Sequence, residues 1–165
     1  MFFKFNSNKQ KMKKFLVIAL AIGSIVGCKK KDDTPAQLEV TAANIAGVYK
    51  ITAETEVINN VSFDRYNGGT IGGQTYAAEY ETCEKDDTFT FTATNVTSSE
   101  GATSCTPPTP SLNATYVVQT SSKTLSIPSF GISGTIESLT ATGMVLKSTE
   151  TSGGITSVTT TTFSK

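Results

Sequence analysis

The sequence contains two groups of side chains that could take part in chemical reactions or bind a ligand. They are three cysteines and one run of acidic residues. The cysteines are Cys28, Cys83 and Cys105. Histidine is absent, which removes the commonest general base and the commonest transition-metal ligand. The chain also has no GxxxxGK[ST] phosphate loop and no GxSxG nucleophile turn. We therefore predict no catalytic residues, no metal site, no cofactor and no enzymatic activity.

The acidic run leaves two alternatives to that prediction. Its members are Glu79, Glu81, Glu84, Asp86 and Asp87. Carboxylate oxygens are the ligands that Ca²⁺ prefers, but this spacing follows no EF-hand loop, so a solvated edge is the favoured interpretation. A hydrolase that uses only carboxylates is the other alternative, and it ranks last because no pair of carboxylates stands out.

The N-terminal segment has the order of charges and apolar residues that is typical of a secretory signal peptide. Two lysines precede an uncharged apolar run of twelve residues at 15–26, and the small Gly27 follows it. The run is shorter than the roughly 20 residues that a membrane-spanning helix needs. We predict a helical signal peptide over 1–27, with Met12 as the alternative start.

The residues Ile25-Val26-Gly27-Cys28 resemble the lipobox of bacterial lipoproteins. The resemblance implies cleavage before Cys28 and acylation of that residue. Since two or more acyl chains anchor a protein stably, we expect a cell-envelope protein attached to the outer membrane. Residues 29–33, KKKDD, resemble a surface-export signal of some Gram-negative lipoproteins, and a solvated spacer is the equally supported alternative. Residues 28–40 are predicted to be a flexible tether.

The net charge becomes negative once the predicted signal peptide, residues 1–27, is left out. Residues 28–165 carry nine Lys or Arg and fourteen Asp or Glu, a net charge of −5. Beyond the tether there is no basic cluster, which argues against a nucleic-acid partner. The length fits one domain, which we place at 41–165.

Threonine dominates the composition, with 28 of 165 residues. β-Branched side chains fit a pleated surface and lose rotamer freedom in helices, so this composition predicts an all-β domain. A mucin-like stalk is also Thr-rich, but the interleaved Phe, Tyr, Ile and Leu predict a packed core instead.

The alternation of side chains predicts about eight antiparallel strands, in a single barrel or a sandwich. In residues 47–55 it places Tyr49, Ile51 and Ala53 on one face and Lys50, Thr52 and Glu54 on the other. A short helical turn capped by Thr41 should precede this strand, with Ile45 inward. The other predicted strands cover 88–93, 96–105, 114–119, 124–127, 132–139, 143–151 and 155–163. Tyr116 and Val118 should point inward, or Val117 if the register slips.

Residues 59–75 contain two Gly pairs and break the alternation. They are predicted to form a long loop, with at most a weak strand near residues 61–66.

Cys83 and Cys105 are the two thiols that remain once Cys28 is acylated. An exported domain favours pairing them. In the chain-entropy model, closing this loop stabilises the fold by about 3 kcal/mol.

The domain resembles lipocalin-like lipoproteins of Gram-negative bacteria. The residues that carry the resemblance are Gly47-Val48-Tyr49, Cys83 to Phe91, Cys105, and Ile136-Glu137-Ser138-Leu139-Thr140 running on to Met144-Val145-Leu146. It implies a small up-and-down barrel, with either a cavity or a filled interior, and supplies no catalytic residues.

Two functions follow from these expectations. The first is non-catalytic binding of a small apolar molecule or a glycan by a monomer, with an interior lined by Tyr49, Phe89, Phe91, Tyr116, Leu125 and Leu146. The second is a structural or adhesin-like role, in which the Thr-rich outer face contacts an envelope or host protein. An interior void would favour the first and a filled core the second.

Overall fold

The structure is a computed structural model that describes residues 35–108, 111 and 113–165. The predicted signal peptide, Cys28 and the KKKDD run lie outside these residues. Among the described residues, no helix is long and apolar enough to cross a membrane.

Strands account for 54% of the described residues. The helical structure among them is one four-residue α-helix and one short 3₁₀ helix at Pro128–Phe130. The elements in chain order are α1 (Ala42–Ile45), β1 (Gly47–Ile58), β2 (Val61–Asp64), β3 (Gly69–Ile71), β4 (Gln74–Tyr76), β5 (Thr88–Phe91), β6 (Asn95–Ser99), β7 (Asn113–Thr115), β8 (Val117–Gln119), β9 (Thr124–Ile127), β10 (Ile132–Leu139), β11 (Gly143–Ser152) and β12 (Ile155–Ser164).

The first turn of α1 confirms the predicted cap. The Thr41 hydroxyl accepts a hydrogen bond from the Asn44 backbone N–H at 3.2 Å, and Ile45 is fully buried. Packing already begins before this helix, because the Leu38 N–H donates to the Leu139 carbonyl at 2.7 Å and Val40 is buried. Part of the predicted tether, 28–40, is therefore packed against β10.

The strands form a nearly closed antiparallel barrel, which confirms the predicted all-β fold class. The order of its nine strands is β7-β6-β5-β1-β12-β11-β10-β9-β8. The two ends of this path, β7 and β8, are separated only by Tyr116. If β7 and β8 are counted as one strand, the path contains eight strands, which in chain order are β1, β5, β6, β7–β8, β9, β10, β11 and β12. Each of these pairs with the next one in this series, and β12 pairs with β1. This is the up-and-down order.

Residues 59–75 are more ordered than the sequence indicated. β2 pairs with β1 and lies where the sequence predicted a weak strand, near residues 61–66. The β3–β4 hairpin was not predicted, so the prediction of a loop is wrong for that part. The reason is turn chemistry, since Asn59 and Asn60 have φ angles of 49° and 65° and Gly72 and Gly73 have 57° and 83°. Two consecutive residues with positive φ form the two-residue turns that close β-hairpins.

A bulge in β1 reverses which side chains of this strand face the interior. The pairing with β12 runs from Ile51 opposite Phe163 directly to Ala53 opposite Thr162, so Thr52 is the extra residue. Before the bulge, Tyr49 is fully buried, and after it Glu54 is 8% exposed. The prediction that Glu54 faces outward is wrong, because one inserted residue shifts a two-residue alternation by one step.

The half of the barrel on the Tyr49 side of the bulge, which we call the apolar half, is filled by packed side chains. Tyr49 contacts Phe91 edge to face, with ring centroids 5.7 Å apart, and Phe91 contacts Tyr116 in the same way at 5.4 Å. Both phenols have acceptors, as Tyr49 donates to the Ile45 carbonyl at 2.7 Å and Tyr116 to the Thr92 carbonyl at 2.6 Å. The inward orientation of Tyr116 confirms its predicted register.

Candidate functional site

A cavity of about 220 Å³ lies on the other side of the bulge. We call this side the polar half. Residues from three parts of the chain line the cavity: β1, the residue that follows β2, and the segment from β4 into β5. The lining residues are Glu54, Arg65, Glu79, Tyr80, Glu84, Asp87 and Phe89.

Glu54 lies at the centre of this site because the bulge turns it inward. One carboxylate oxygen, Oε2, accepts hydrogen bonds from the Tyr80 hydroxyl at 3.0 Å and from the Thr161 hydroxyl at 2.8 Å. The other, Oε1, lies 3.4 Å from Nε of Arg65. A buried carboxylate is tolerated only when it is paired in this way.

Arg65 joins three carboxylates. Besides Glu54, its guanidinium pairs with Glu56 at 3.7 Å and with Glu79. The hydrogen bond that Arg65 donates to Glu79 is the main reason that the pKa of Arg65 is raised, and the charges of Glu54 and Glu56 add to it. The Arg65 backbone N–H also donates to the Glu54 carbonyl at 2.9 Å. These contacts fasten the residues after β2 to β1.

Tyr80 provides an aromatic wall beside this ion-pair network. Burial raises its pKa, and the neighbouring Glu54 carboxylate raises it further. Its ring lies against the ring of Tyr66, with centroids 5.4 Å apart. The Lys85 ammonium lies 4.6 Å from the centre of the Tyr66 ring and donates to the Asn67 side-chain carbonyl at 3.4 Å.

Asp87 forms the opposite part of the wall and is only 8% exposed. Its Oδ1 accepts a hydrogen bond from the Gly101 N–H at 3.1 Å. Burial raises the pKa of Asp87, and the charges of Glu100, Asp86 and Glu84 raise it further, against the lowering effect of the Gly101 hydrogen bond. Asp87 is therefore a carboxyl whose ionisation the surroundings oppose.

The predicted acidic edge does not all face solvent. Asp86 accepts from the Thr103 N–H at 3.0 Å, and Glu84 accepts from the Glu81 N–H at 2.8 Å. These carboxylates hold the loops around β5 in place. The described residues include one convergent group of possible metal ligands, Glu81 with Cys83 and Cys105, but thiolates rather than disulfide sulfurs bind metals.

Cys83 and Cys105 are paired at disulfide distance, with Cα atoms 5.3 Å apart. The pair connects the segment before β5 to the loop after β6. It therefore restrains the part of the chain that supplies Glu84 and Asp87 to the cavity.

The six predicted interior residues divide between the two halves. Phe89 lines the cavity. The others are at most 7% exposed within the core: Tyr49, Phe91, Tyr116, Leu125 and Leu146. Phe89 also contacts Phe163 edge to face, at 6.3 Å between centroids, so it marks the border between the packed core and the cavity.

Three residues of the cavity wall were not predicted to belong to a site: Glu54, Arg65 and Tyr80. Arg65 is the only arginine of the sequence, which could have drawn attention to it. Glu54 gave no comparable signal, because its inward orientation depends on the bulge.

No protein-family model matches this chain, and no curated protein or solved structure is similar enough to it to count as a match.

Proposed function

We propose that this protein is a non-catalytic binding protein of the cell envelope whose barrel holds a small polar ligand, with a glycan unit as the class that fits best. The observation that carries the proposal is the cavity around Glu54. In the apolar half, the aromatic and aliphatic side chains are packed against one another.

The chemistry of the cavity wall favours the glycan over the apolar molecule, the two ligand classes predicted from the sequence. Five of the seven lining residues carry ionisable acidic or basic groups, and Tyr80 adds a hydroxyl. An apolar ligand would take these groups out of water without replacing their hydrogen bonds. A sugar hydroxyl can donate to the carboxylates, while the Phe89 ring can pack against the apolar face of a sugar ring.

The size of the cavity limits the ligand. Pockets for drug-sized molecules measure roughly 300–1,000 Å³, and this one measures about 220 Å³. A single sugar unit is therefore the expected occupant, with any longer glycan extending outward from the barrel.

We also propose that the chain is a lipocalin-like lipoprotein that is anchored at the outer membrane through acylated Cys28. The lipobox-like residues 25–28 and the up-and-down order of the barrel support this. Mass spectrometry of the mature N-terminus from the native host tests it. A mature chain that begins with an unmodified residue other than Cys28 would contradict the anchor.

The binding proposal is tested by titrating the full chain in detergent with four sugars: glucose, galactose, glucosamine and N-acetylglucosamine. Binding is measured by calorimetry and by NMR of the backbone amides. We expect at least one sugar to bind and to shift the amides of the lining residues. Glu54→Gln should weaken that binding, whereas Glu137→Gln, an exposed ion-pair partner of Lys147, should not. Absence of binding by all four sugars would overturn the proposal.

A second candidate is a protein-interaction role for the outer face of β1, β12 and β11. The strand pairing aligns Thr55 with Thr160 in one row and Val57 with Val158 in the next, and Val57 is 37% exposed. This Thr- and Val-rich face supports the adhesin-like alternative predicted from the sequence. It becomes the leading candidate if the sugar titrations fail.

A further inference from the structure

The inner face of β1 continues past the cavity and becomes apolar. Beyond the bulge, alternation places Glu54, Glu56 and Ile58 on one face of this strand. Glu54 lines the cavity, and Ile58 follows it on the same face at about 13 Å, given roughly 3.3 Å per residue. This face therefore leads from the cavity to the end of the barrel at which β1 turns into β2.

The strands on either side of β1 add apolar side chains to this face. Residues directly opposite each other in an antiparallel pair have their side chains on the same face. Val61 is opposite Ile58, and Phe63 is opposite Glu56. Ile155 of β12 lies on this face as well, according to the register between β12 and β1. We call the four apolar residues the apolar rim: Ile58, Val61, Phe63 and Ile155.

The apolar rim is accessible to solvent although it belongs to the inner face. Val61 is 38% exposed and Ile155 is 51% exposed, and Ile58 and Phe63 are partly exposed. Single apolar side chains on an outer surface are ordinary. These four are different, because they share one face with the cavity residue Glu54 and lie beside each other on three paired strands. They are positioned to contact a ligand that extends out of the cavity.

We propose that the ligand is an amphiphile, a sugar that carries a short apolar group, with the sugar in the cavity and the apolar group against the apolar rim. A free sugar would leave the rim in water, whereas contact with an alkyl group removes its carbon atoms from water. A purely apolar ligand would leave the polar groups of the cavity without partners. This inference rests on the proposed function, because it names the ligand class of the same cavity.

The test compares the methyl and hexyl β-glycosides of the four sugars named above, which differ only in the length of the apolar group. Calorimetry uses the full chain in a sugar-free detergent, and each glycoside concentration is corrected for partition into that detergent, measured without protein. For the sugar that binds, we expect the hexyl glycoside to bind more tightly than the methyl glycoside by about tenfold or more. It should also give the more negative heat-capacity change, which marks apolar burial.

Two valines of matched exposure locate the apolar group. Val61, at 38%, belongs to the apolar rim, whereas Val57, at 37%, lies on the outer face of β1. Val61→Ser should reduce the preference for the hexyl glycoside by about threefold or more, and Val57→Ser should preserve it. Ile155→Ser should act as Val61→Ser does and is the second variant if Val61→Ser does not fold. Glu54→Gln should weaken both glycosides by the same factor, because it acts on the sugar.

The outcomes separate this inference from the proposed function. If the methyl and hexyl glycosides bind equally, the amphiphile is overturned and the glycan proposal stands. A preference that survives in both Val61→Ser and Ile155→Ser overturns the assignment to the apolar rim. If 1-hexanol binds as tightly as the hexyl glycosides, or if no sugar and no glycoside binds, both proposals fail.

Sedimentation of the same samples tests whether a second copy of the chain covers the apolar rim instead. We expect the native protein and the Val61→Ser variant to have the same oligomeric state. A dimer that dissociates in Val61→Ser but persists in Val57→Ser would overturn the inference, because the rim would then be an interface between two copies.

Discussion

On one side of the bulge in β1, the interior of the barrel is filled by Tyr49 and the aromatic rings around it. On the other side, the interior holds Glu54, Arg65 and a cavity of about 220 Å³. The same strand, β1, supplies the central residue of both regions, and its pairing with β12 continues through both. The comparison shows that one inserted residue, Thr52, is enough to change what a strand presents to the interior.

The two halves also differ in the surroundings of their tyrosine hydroxyls, Tyr49 in the apolar half and Tyr80 in the polar half. Burial is the main reason that the pKa of Tyr49 is raised to about 12, with Tyr116 adding to it. For Tyr80 the burial effect is reinforced by the charge of Glu54 and by the hydrogen bond to that carboxylate. The apolar half therefore buries neutral groups, whereas the polar half buries charges that must remain paired. Buried charges that are paired in this way contribute less to stability than a packed core.

The largest expected effect tests the apolar half. Tyr49→Ala should lower the free energy of unfolding by about 3–5 kcal/mol, because it removes a fully buried ring. Tyr49→Phe should cost about 1–2 kcal/mol, since it leaves the ring in place and removes only the hydrogen bond to Ile45. Urea unfolding followed by circular dichroism measures both. A loss below 1 kcal/mol for Tyr49→Ala would mean that this half is not the stabilising one.

The next largest effect concerns the disulfide between Cys83 and Cys105, which lies beside the polar half. The double variant Cys83→Ser, Cys105→Ser should lose about 3 kcal/mol, because the bridge spans a sequence separation of 22 residues. Non-reducing peptide mapping of the exported protein should recover the two cysteines in one linked peptide pair. Two free thiols in that experiment would contradict the predicted disulfide.

A smaller effect on stability is expected in the polar half. Glu54→Leu should cost about 1–3 kcal/mol, because the partly buried Tyr80 hydroxyl and the Arg65 guanidinium lose an acceptor. Glu54→Gln retains one acceptor oxygen and should cost less. If Glu54→Leu destabilised the protein as much as Tyr49→Ala does, the polar half would contribute as much to stability as the apolar half, which would contradict the difference described above.

The smallest effect is a pH dependence. Because the pKa of Asp87 in the folded protein is raised above its ordinary value of 3.8, folding favours the protonated carboxyl. Its contribution to stability is therefore present below that pH and is lost as the pH rises through the folded pKa. Asp87→Asn should remove this loss, so the variant should gain stability relative to the native protein between pH 3.5 and 7. Unfolding curves of the native protein and the variant across that range measure the gain.

Much of the fold could be predicted, because it follows from local patterns. The Thr41 cap, the inward Tyr116 and the alternating strand that carries Phe89 and Phe91 all reflect alternation or capping within a few residues. β2 was predicted only as a weak strand, and the β3–β4 hairpin was missed, although Gly72-Gly73 is a dipeptide that two-residue turns require. For that hairpin the signal was present in the sequence and was interpreted as a loop.

The site could be predicted only in part. Phe89 was among the expected lining residues, but the expected set was apolar because the alternation of β1 assigned Glu54 to the outside. The acidic run was expected at a solvated edge, whereas Asp87 is buried and faces the cavity. Acylation of Cys28, attachment to the outer membrane and a non-catalytic role remain predictions.

The sequence by itself determined the β-class, the approximate number of strands, the one available cysteine pair and the acidic charge of the domain. These properties follow from composition and from side-chain alternation, which act within a strand or a turn. Only the tertiary structure decided that Glu54 faces inward, that Arg65 joins it to Glu56 and Glu79, and that a cavity separates them from Asp87. Those features depend on the register between β1 and β12, and a register is set by two distant strands together, so neither strand encodes it alone.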